Sequence, residues 1–417
     1  MKKTLWTKNF TLLTFATVLG AAGGIASTFA LSFLVFDETG STFAAALLLA
    51  VQLIPNFLIP LIAAPLMDRF PRKPFLVAGD AINGLLYALA GLYLLHFDFS
   101  YIGYLFFSLL LASLGAFDSL AYNSIYPALI PDGLEQKGYT VSGMVYPVMQ
   151  VLMMPAAAFL FDTVGTAFIL LLQGILSLLA ALLESRIRVQ EARLTDRRFS
   201  FHIWYQDTKE ALSYLKKEKG LRSIYTYMAV TNGVGGGYSP VLVAFFRTAP
   251  GFSAAMYSLF SVAEFAGRSL GGLLHYNLKI PPKKKYSFAY FIYLTYEALD
   301  MLLLWLPYPL MLISRSICGF LGMNSAALRE AAVQRYIPDR LRAKLNAFCS
   351  MTISFSCCIF SLIIGALGEL LDYRLCITLC AGFSLLCCLL TIGRQKKDIS
   401  LMYENSSADI QEPPAMP

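Results

Sequence analysis

Ionisable side chains stand inside long apolar runs, the most informative being Asp80, Asp118, Glu264, Arg268, Glu297, Asp300 and Arg315. A charge at the centre of a membrane-spanning helix costs ~2.5–3.5 kcal/mol on insertion scales, so each needs a partner or a function. Glu264 and Arg268 are four residues apart, one helical turn, and can neutralise each other. Asp118 has no opposite charge within four residues, and Tyr122 and Asn123 follow one turn on. A lone carboxylate in a low-dielectric site can carry a proton near neutral pH, so Asp118 is a candidate proton or substrate site, with Glu264 its rival and Asp80 a further candidate.

Other chemistries find no support. The three histidines, His96, His202 and His275, are far apart, and all eight cysteines lie within apolar runs of the second half. No metal-ligand spacing and no disulfide framework emerges. The run Gly233-Val234-Gly235-Gly236-Gly237 lacks the Gly-Lys-Ser/Thr ending of a phosphate loop and reads instead as a site that loosens a helix or permits close packing. No cofactor is expected. Without a nucleotide site, the available energy source is an ion gradient, most simply of protons.

The elements that hold these residues are membrane helices. Of 417 residues, 57% are hydrophobic and 14% charged, against roughly 25% charged in a soluble domain. A spanning helix needs ~20 mostly apolar residues. The runs are long and continuous, not alternating with period two, so a barrel is excluded. Twelve spans are expected, at 10–36, 43–67, 74–95, 101–127, 139–161 and 166–185, then 222–246, 253–278, 286–306, 309–333, 346–368 and 375–393. The run that follows Met1-Lys2-Lys3 is too long for a signal peptide and reads as the first span. Residues 186–220 form a charged linker, where Ile203, Trp204, Ala211, Leu212 and Leu215 recur near helical spacing, as in an amphipathic helix on a membrane face. The tail, 398–417, is polar and reads as disordered. The domain expectation is thus an N-terminal half 1–185, the linker 186–220, a C-terminal half 221–397 and the tail.

Charge fixes the expected orientation. With both termini cytosolic, 29 of the 33 Lys and Arg fall on the inner side; Arg247 and Arg374 lie at outer ends and Arg268 and Arg315 inside spans. This asymmetry obeys the positive-inside rule for an inner-membrane protein. The net charge of +7 reflects topology and contact with anionic lipid rather than a nucleic-acid partner. The expected partners are the bilayer and a small-molecule substrate, for a monomer.

The chain repeats itself. Ile130-Pro131-Asp132-Gly133-Leu134-Glu135-Gln136-Lys137 and Ile337-Pro338-Asp339-Arg340-Leu341-Arg342-Ala343-Lys344 share five of eight positions, each between the fourth and fifth span of a set of six. Two six-helix halves in parallel arrangement explain this, with a cavity between them near the midplane.

Asp68-Arg69-Phe70-Pro71-Arg72-Lys73 resembles the cytoplasmic loop signature of the major facilitator superfamily, Gly-x-x-x-Asp-Arg-x-Gly-Arg-Lys, with Ala64 and Pro71 at the glycine positions. The stretches Ala64–Asp80 and Ile337–Ala347 look like the drug and macrolide exporter branch. The exporters' Gly-Pro on span five is here Met154-Pro155, followed by alanines. The resemblance covers nearly the whole chain. It implies an all-α fold of twelve helices, not an enzyme, in which Asp68, Arg69, Arg72 and Lys73 latch the helix ends during switching. Simple positive-inside anchoring is the alternative. By the same resemblance spans one, four, seven and ten line the cavity, offering Thr28, Tyr122, Asn123, Asn232, Tyr238, Asn324 and Arg315, which could complement an anionic group. Span nine is peripheral, so Glu297 and Asp300 should be remote from substrate.

The functional expectation is proton-coupled export of small amphiphilic compounds. An ion-coupled uptake permease for a nutrient or peptide, and a membrane sensor or scaffold without transport, remain alternatives. For the topology, a reporter fused after Lys397 should be active only on the cytosolic side; activity outside would reverse the assignment.

Overall fold

The computed structural model describes residues 4–69, 71–131, 133–188, 201–275 and 280–404; the side chains of Phe57, of residues 60–69, of Gln136, His275, Asp339 and Ala343, and of 201–205, 207, 208 and 211, which include Ile203, Trp204 and Ala211 of the expected amphipathic face, lie outside the description. All regular structure among the described residues is helical: α1 (Lys8–Thr39), α2 (Thr42–Arg69), α3 (Lys73–His96), α4 (Tyr101–Leu129), α5 (Glu135–Ser185), α6 (Phe201–Lys217), α7 (Lys219–Thr248), α8 (Ala254–His275), α9 (Pro282–Leu302), α10 (Tyr308–Tyr336), α11 (Asp339–Leu370), α12 (Tyr373–Cys388) and α13 (Lys396–Glu404). In hydrocarbon, only a helix satisfies its backbone within one segment.

Eight helical segments are long and apolar enough to cross a membrane. One of them, Lys137–Ser185, has 49 residues. At 1.5 Å per residue that is ~70 Å, twice a hydrocarbon core. It is two crossings, broken at Gly165, whose φ of 78° and ψ of 173° only glycine adopts readily. Polar residues dilute two crossing helices: α7 carries Thr231, Asn232 and three glycines at 235–237, and α8 carries Glu264 and Arg268. Helix α12 continues through a π-turn, Leu389–Gly393, and so reaches spanning length.

Local chemistry sets the ends. Thr7 accepts a hydrogen bond from the Phe10 N–H and Ser100 from that of Gly103, capping α1 and α4. Gly40, left-handed at φ 63°, closes α1 by donating to the Phe36 carbonyl at 2.8 Å. Both copies of the repeat fall at one kind of junction: Ile130 follows the last residue of α4, and Ile337 the last of α10.

The chain packs into two units. The first comprises Met1–Phe199 together with Leu242–Val262. Within it α1 and α3 lie against α5, and α2 against α4. Its linker end is sealed by Phe10, Leu13, Leu76, Ile125, Tyr126 and Ile187. At its other end it holds the turn between α7 and α8. There Arg247 grips Asp37 with two bonds of 2.7 and 2.8 Å and lies 5.9 Å over the Phe161 ring, and Tyr257 packs on Phe29 and Phe33. By chain order this turn belongs to the second six helices; by packing it belongs with the first.

The second unit comprises Ser200–Val241 and Ala263–Pro417. Its linker end gathers Leu221, Ile224, Tyr286, Ile337 and Leu341. Helix α6 is tied there by Glu210, which meets Lys344 at 2.6 Å and Arg340 at 3.3 Å on α11. Glu218 accepts a hydrogen bond from the Tyr336 hydroxyl. Burial and Glu218 take the Tyr214 hydroxyl of α6 up to about 12.

One expectation is corrected here. Residues 398–404, read as part of a disordered tail, are helical in α13, with Ile399, Met402 and Tyr403 buried. These three sit on one helical face, and the Tyr403 hydroxyl lies 3.4 Å from that of Tyr293 on α9. Burying that face outweighs the polarity of the segment, which composition alone had weighed. Since Ile399 is fully buried, Ile399→Ala should cost about 2–5 kcal/mol and lower the melting temperature in detergent. An unchanged melting temperature would mean that α13 does not dock.

Candidate functional site

In the second unit, charges cluster around Arg315 on α10. Its guanidinium meets Glu264 of α8 at 2.8 Å and Asp300 of α9 at 3.2 Å. Glu264 also accepts from Arg268 at 2.9 Å. Two cations and two anions leave no net charge. Burial is graded along the chain of four. Asp300 and Arg315 are 1% and 8% exposed, whereas the Arg268 side chain is 53% exposed. The expected Glu264–Arg268 contact is present, but Arg315 joins it from 51 residues away. The anionic group that Arg315 complements is therefore within the protein.

Glycines set this geometry. A methyl group on Gly267 of α8 would stand 1.9 Å from the Ser316 carbonyl oxygen of α10, and one on Gly319 would stand 2.2 Å from that of Glu264. Gly271 meets the Phe320 carbonyl in the same way, at 2.6 Å. The helices touch backbone to backbone, as small residues permit in membranes. That contact brings Glu264 and Arg315, one on each helix, within hydrogen-bond reach.

One turn along α9 from Asp300, Glu297 is 2% exposed and takes a different solution. Its Oε1 accepts from the hydroxyls of Tyr227 at 3.0 Å and Thr231 at 2.8 Å, both on α7, and of Ser384 on α12 at 2.6 Å. Sequence reasoning missed these three donors, since hydroxyl residues in apolar helices are too common to single out.

In the first unit, Asp80 lies on α3, Asp118 on α4 and Glu184 near the end of α5. A methyl on Gly79 would stand 3.5 Å from Asp118 Oδ1, which places that carboxylate against the backbone beside Asp80. Asp118 Oδ1 and Glu184 Oε2 are buried with no hydrogen-bond partner. Glu184 is 4% exposed. It lies inside the sixth expected span, 166–185, two residues before the charged linker, and sequence reasoning did not single it out.

The remaining candidates are dispersed. Arg72 and Lys73 begin α3 and donate to backbone carbonyls, Arg72 to Ser124 at 3.4 Å and Lys73 to Ser185 at 2.6 Å. The side chains of Asp68 and Arg69 lie outside the description; their backbone continues α2 through its last turn rather than forming a loop. Tyr122 contacts the Ser142 hydroxyl at 3.2 Å and stacks on Tyr126. Asn123 and Asn232 are exposed and bond within their own helices, to Ser119 and to the Met228 carbonyl. Asn324 is buried and bridges to the Gly271 carbonyl of α8. Tyr238 is 1% exposed and its hydroxyl has no partner. The glycines of α7 serve close packing: methyl groups on Gly233 and Gly237 would collide with Ser356 and with Ile364 and Phe360 of α11.

A two-unit, all-helical fold whose spanning helices hold ionisable groups is the architecture of a membrane transporter. The profile described as Major Facilitator Superfamily matches residues 12–298 and 298–401, and the chain belongs to that superfamily, whose members are transporters and not enzymes. A relative in Bacillus subtilis (strain 168), described as the uncharacterised MFS-type transporter YkuC, is 25% identical over 297 residues, 66% of this chain and 68% of its own. Among solved structures, the nucleoside transporter NupG is similar with TM-score 0.69 at 12% identity, covering 96% of this chain and 100% of its own. A POT family transporter in complex with a thioalcohol-conjugated peptide gives 0.71 at 13%, covering 93% and 96%. A bacterial homologue of the lysosomal transporter Spinster, inward-facing and unoccupied, gives 0.65 at 13%, covering 96% and 98%. At these identities the structures share the fold.

Removing the cation of a buried network strands its anions, at about 3–5 kcal/mol, whereas an exposed pair is worth about 0–1 kcal/mol. Arg315→Gln should therefore abolish or sharply reduce the folded fraction in detergent, and Arg268→Gln should leave it near wild type. Equal stability of the two variants would show that the Arg315 contacts do not hold the unit together.

Proposed function

We propose that this chain is a proton-coupled exporter of small amphiphilic compounds, working by alternating access in the cell membrane with its termini cytosolic. The single observation carrying the coupling is Asp118: a carboxylate within a spanning helix whose Oδ1 is buried and unpartnered. A deprotonated, unpaired carboxylate there is strongly disfavoured, and a proton relieves it. Release of that proton on one side and capture on the other gives a gradient something to drive. The second unit lacks this property at its main cluster, because Glu264 is held by Arg268 and Arg315. The direction of transport rests on the resemblance of residues 64–80 and 337–347 to the drug and macrolide exporters.

The carboxylate lies on α4, expected to line the cavity, with Tyr122 one turn further on. Rings and apolar walls with few fixed charges suit amphiphilic substrates. Asp68, Arg69, Arg72 and Lys73 serve as the latch at the linker end of the first unit.

In inverted vesicles under an inward-directed cellular proton gradient, wild type should accumulate substrate such as a cationic dye or macrolide. Asp118→Asn should lose gradient-driven accumulation while keeping exchange of substrate down its own gradient. Accumulation in right-side-out vesicles instead would establish the uptake permease reading. Intact proton-driven transport in Asp118→Asn would remove Asp118 from the coupling.

A further inference from the structure

The network around Arg315 carries no net charge, and Glu297 stands outside it. Glu297 is buried and makes no ion pair among the described residues. The cations of the packed helices are committed or distant. Arg315 and Arg268 hold Glu264 and Asp300. Arg329, the next cation along α10, is fourteen residues beyond Arg315, about 21 Å at 1.5 Å per residue. Helix α7 has no charged residue between Arg222 and Arg247, and α12 has only Arg374, in its first turn. One negative charge therefore lies inside the second unit without a positive one to match it.

The hydroxyls around Glu297 satisfy its hydrogen bonding but bring no charge. Tyr227 and Thr231 are four residues apart on α7 and share a face, and Ser384 comes from α12, which packs along α9. The Tyr227 ring lies 4.9 Å from that of Tyr293, one turn before Glu297 on α9, which fixes the direction of its hydroxyl. All three hydroxyls donate to Oε1, at 3.0, 2.8 and 2.6 Å, and Oε2 accepts no hydrogen bond among the described residues. Three donors on one oxygen suit a carboxylate rather than a carboxylic acid. A hydroxyl that donates its single hydrogen keeps lone pairs to offer. Three hydroxyl oxygens and two carboxylate oxygens, from three helices, thus gather at one place.

We propose that Tyr227, Thr231, Glu297 and Ser384 form a binding site for a sodium ion, which ties α7 to α9 and α12.

The nature of the ion follows from the donors. They are all oxygens, which select a hard cation. A divalent ion on a single carboxylate would leave a net positive charge among apolar helices, and a monovalent ion leaves none. Hydroxyl oxygens within 3.0 Å of a single carboxylate oxygen make a small cage, which favours sodium over the larger potassium. Tyr227 and Ser384 are buried, whereas Thr231 is half-buried and its neighbour Asn232 exposed, so the way in is along α7. The site is separate from Asp118, and its test does not depend on the proton-coupled reading.

Purified protein in detergent is melted at fixed pH and constant ionic strength in sodium, potassium or choline chloride, and bound radioactive sodium is counted by scintillation proximity. Wild type should melt higher as sodium replaces choline, along a saturating curve, and should retain the label. Glu297→Gln should lose both responses. Thr231→Val should weaken sodium binding about tenfold or more, and Thr231→Ser should keep it. Thr352→Val, which removes a hydroxyl bonded to the Phe348 carbonyl of its own helix, should leave it unchanged. If Glu297→Gln fails to fold, the contrast between Thr231→Val and Thr231→Ser decides. Equal melting in sodium and choline with no label retained overturns the site; a melting temperature that then follows pH alone makes Glu297 a proton holder instead. A sodium effect that persists in Glu297→Gln places the ion elsewhere, and an equal effect of potassium overturns the choice of sodium.

Discussion

A charge in hydrocarbon has to be answered, and the two units answer it differently. In the second unit, Arg315 closes a circuit with Glu264, Asp300 and Arg268 that carries no net charge. Glu297 is answered by three hydroxyls instead. In the first unit, Asp118 and Glu184 each keep a buried oxygen with no partner. The second unit pairs these charges within itself, and the first leaves two buried carboxylate oxygens unanswered. Functional asymmetry between two halves of common plan can arise this way, without a difference in fold.

Backbone proximity makes these arrangements available. Side-chain charges on neighbouring membrane helices meet only if the helices come close, and close approach needs residues without a Cβ in the way. Gly267, Gly271 and Gly319 do this for α8 and α10, and Gly84 and Gly174 for α3 and α5. Each pair of glycines sits within a turn or three of the ionisable residues it serves. The glycines carry no chemistry themselves, yet they decide which chemistry is adjacent.

The long apolar runs made the helices legible, because bilayer thickness allows few lengths. The Ile-Pro-Asp repeat made the two-half plan legible, because both copies end a helix. The i, i+4 pair Glu264 and Arg268 was legible for the same local reason. Arg315 was not, since its partners lie 51 and 15 residues away and only the packing of three helices unites them. Glu184 was hidden by its position, where a span gives way to a basic linker and an acid looks ordinary. Helix α13 was hidden by composition: the burial of Ile399, Met402 and Tyr403 depends on a surface that α9 and α10 supply.

Gly165 bears on how such a chain enters a membrane at all. The two arms of α5 meet at one residue, and Asp162 is the only charge near the tip. A hairpin so nearly devoid of hydrophilic turn has little to drag through the lipid as it inserts. Gly165 is the crease between the two later crossings of that half.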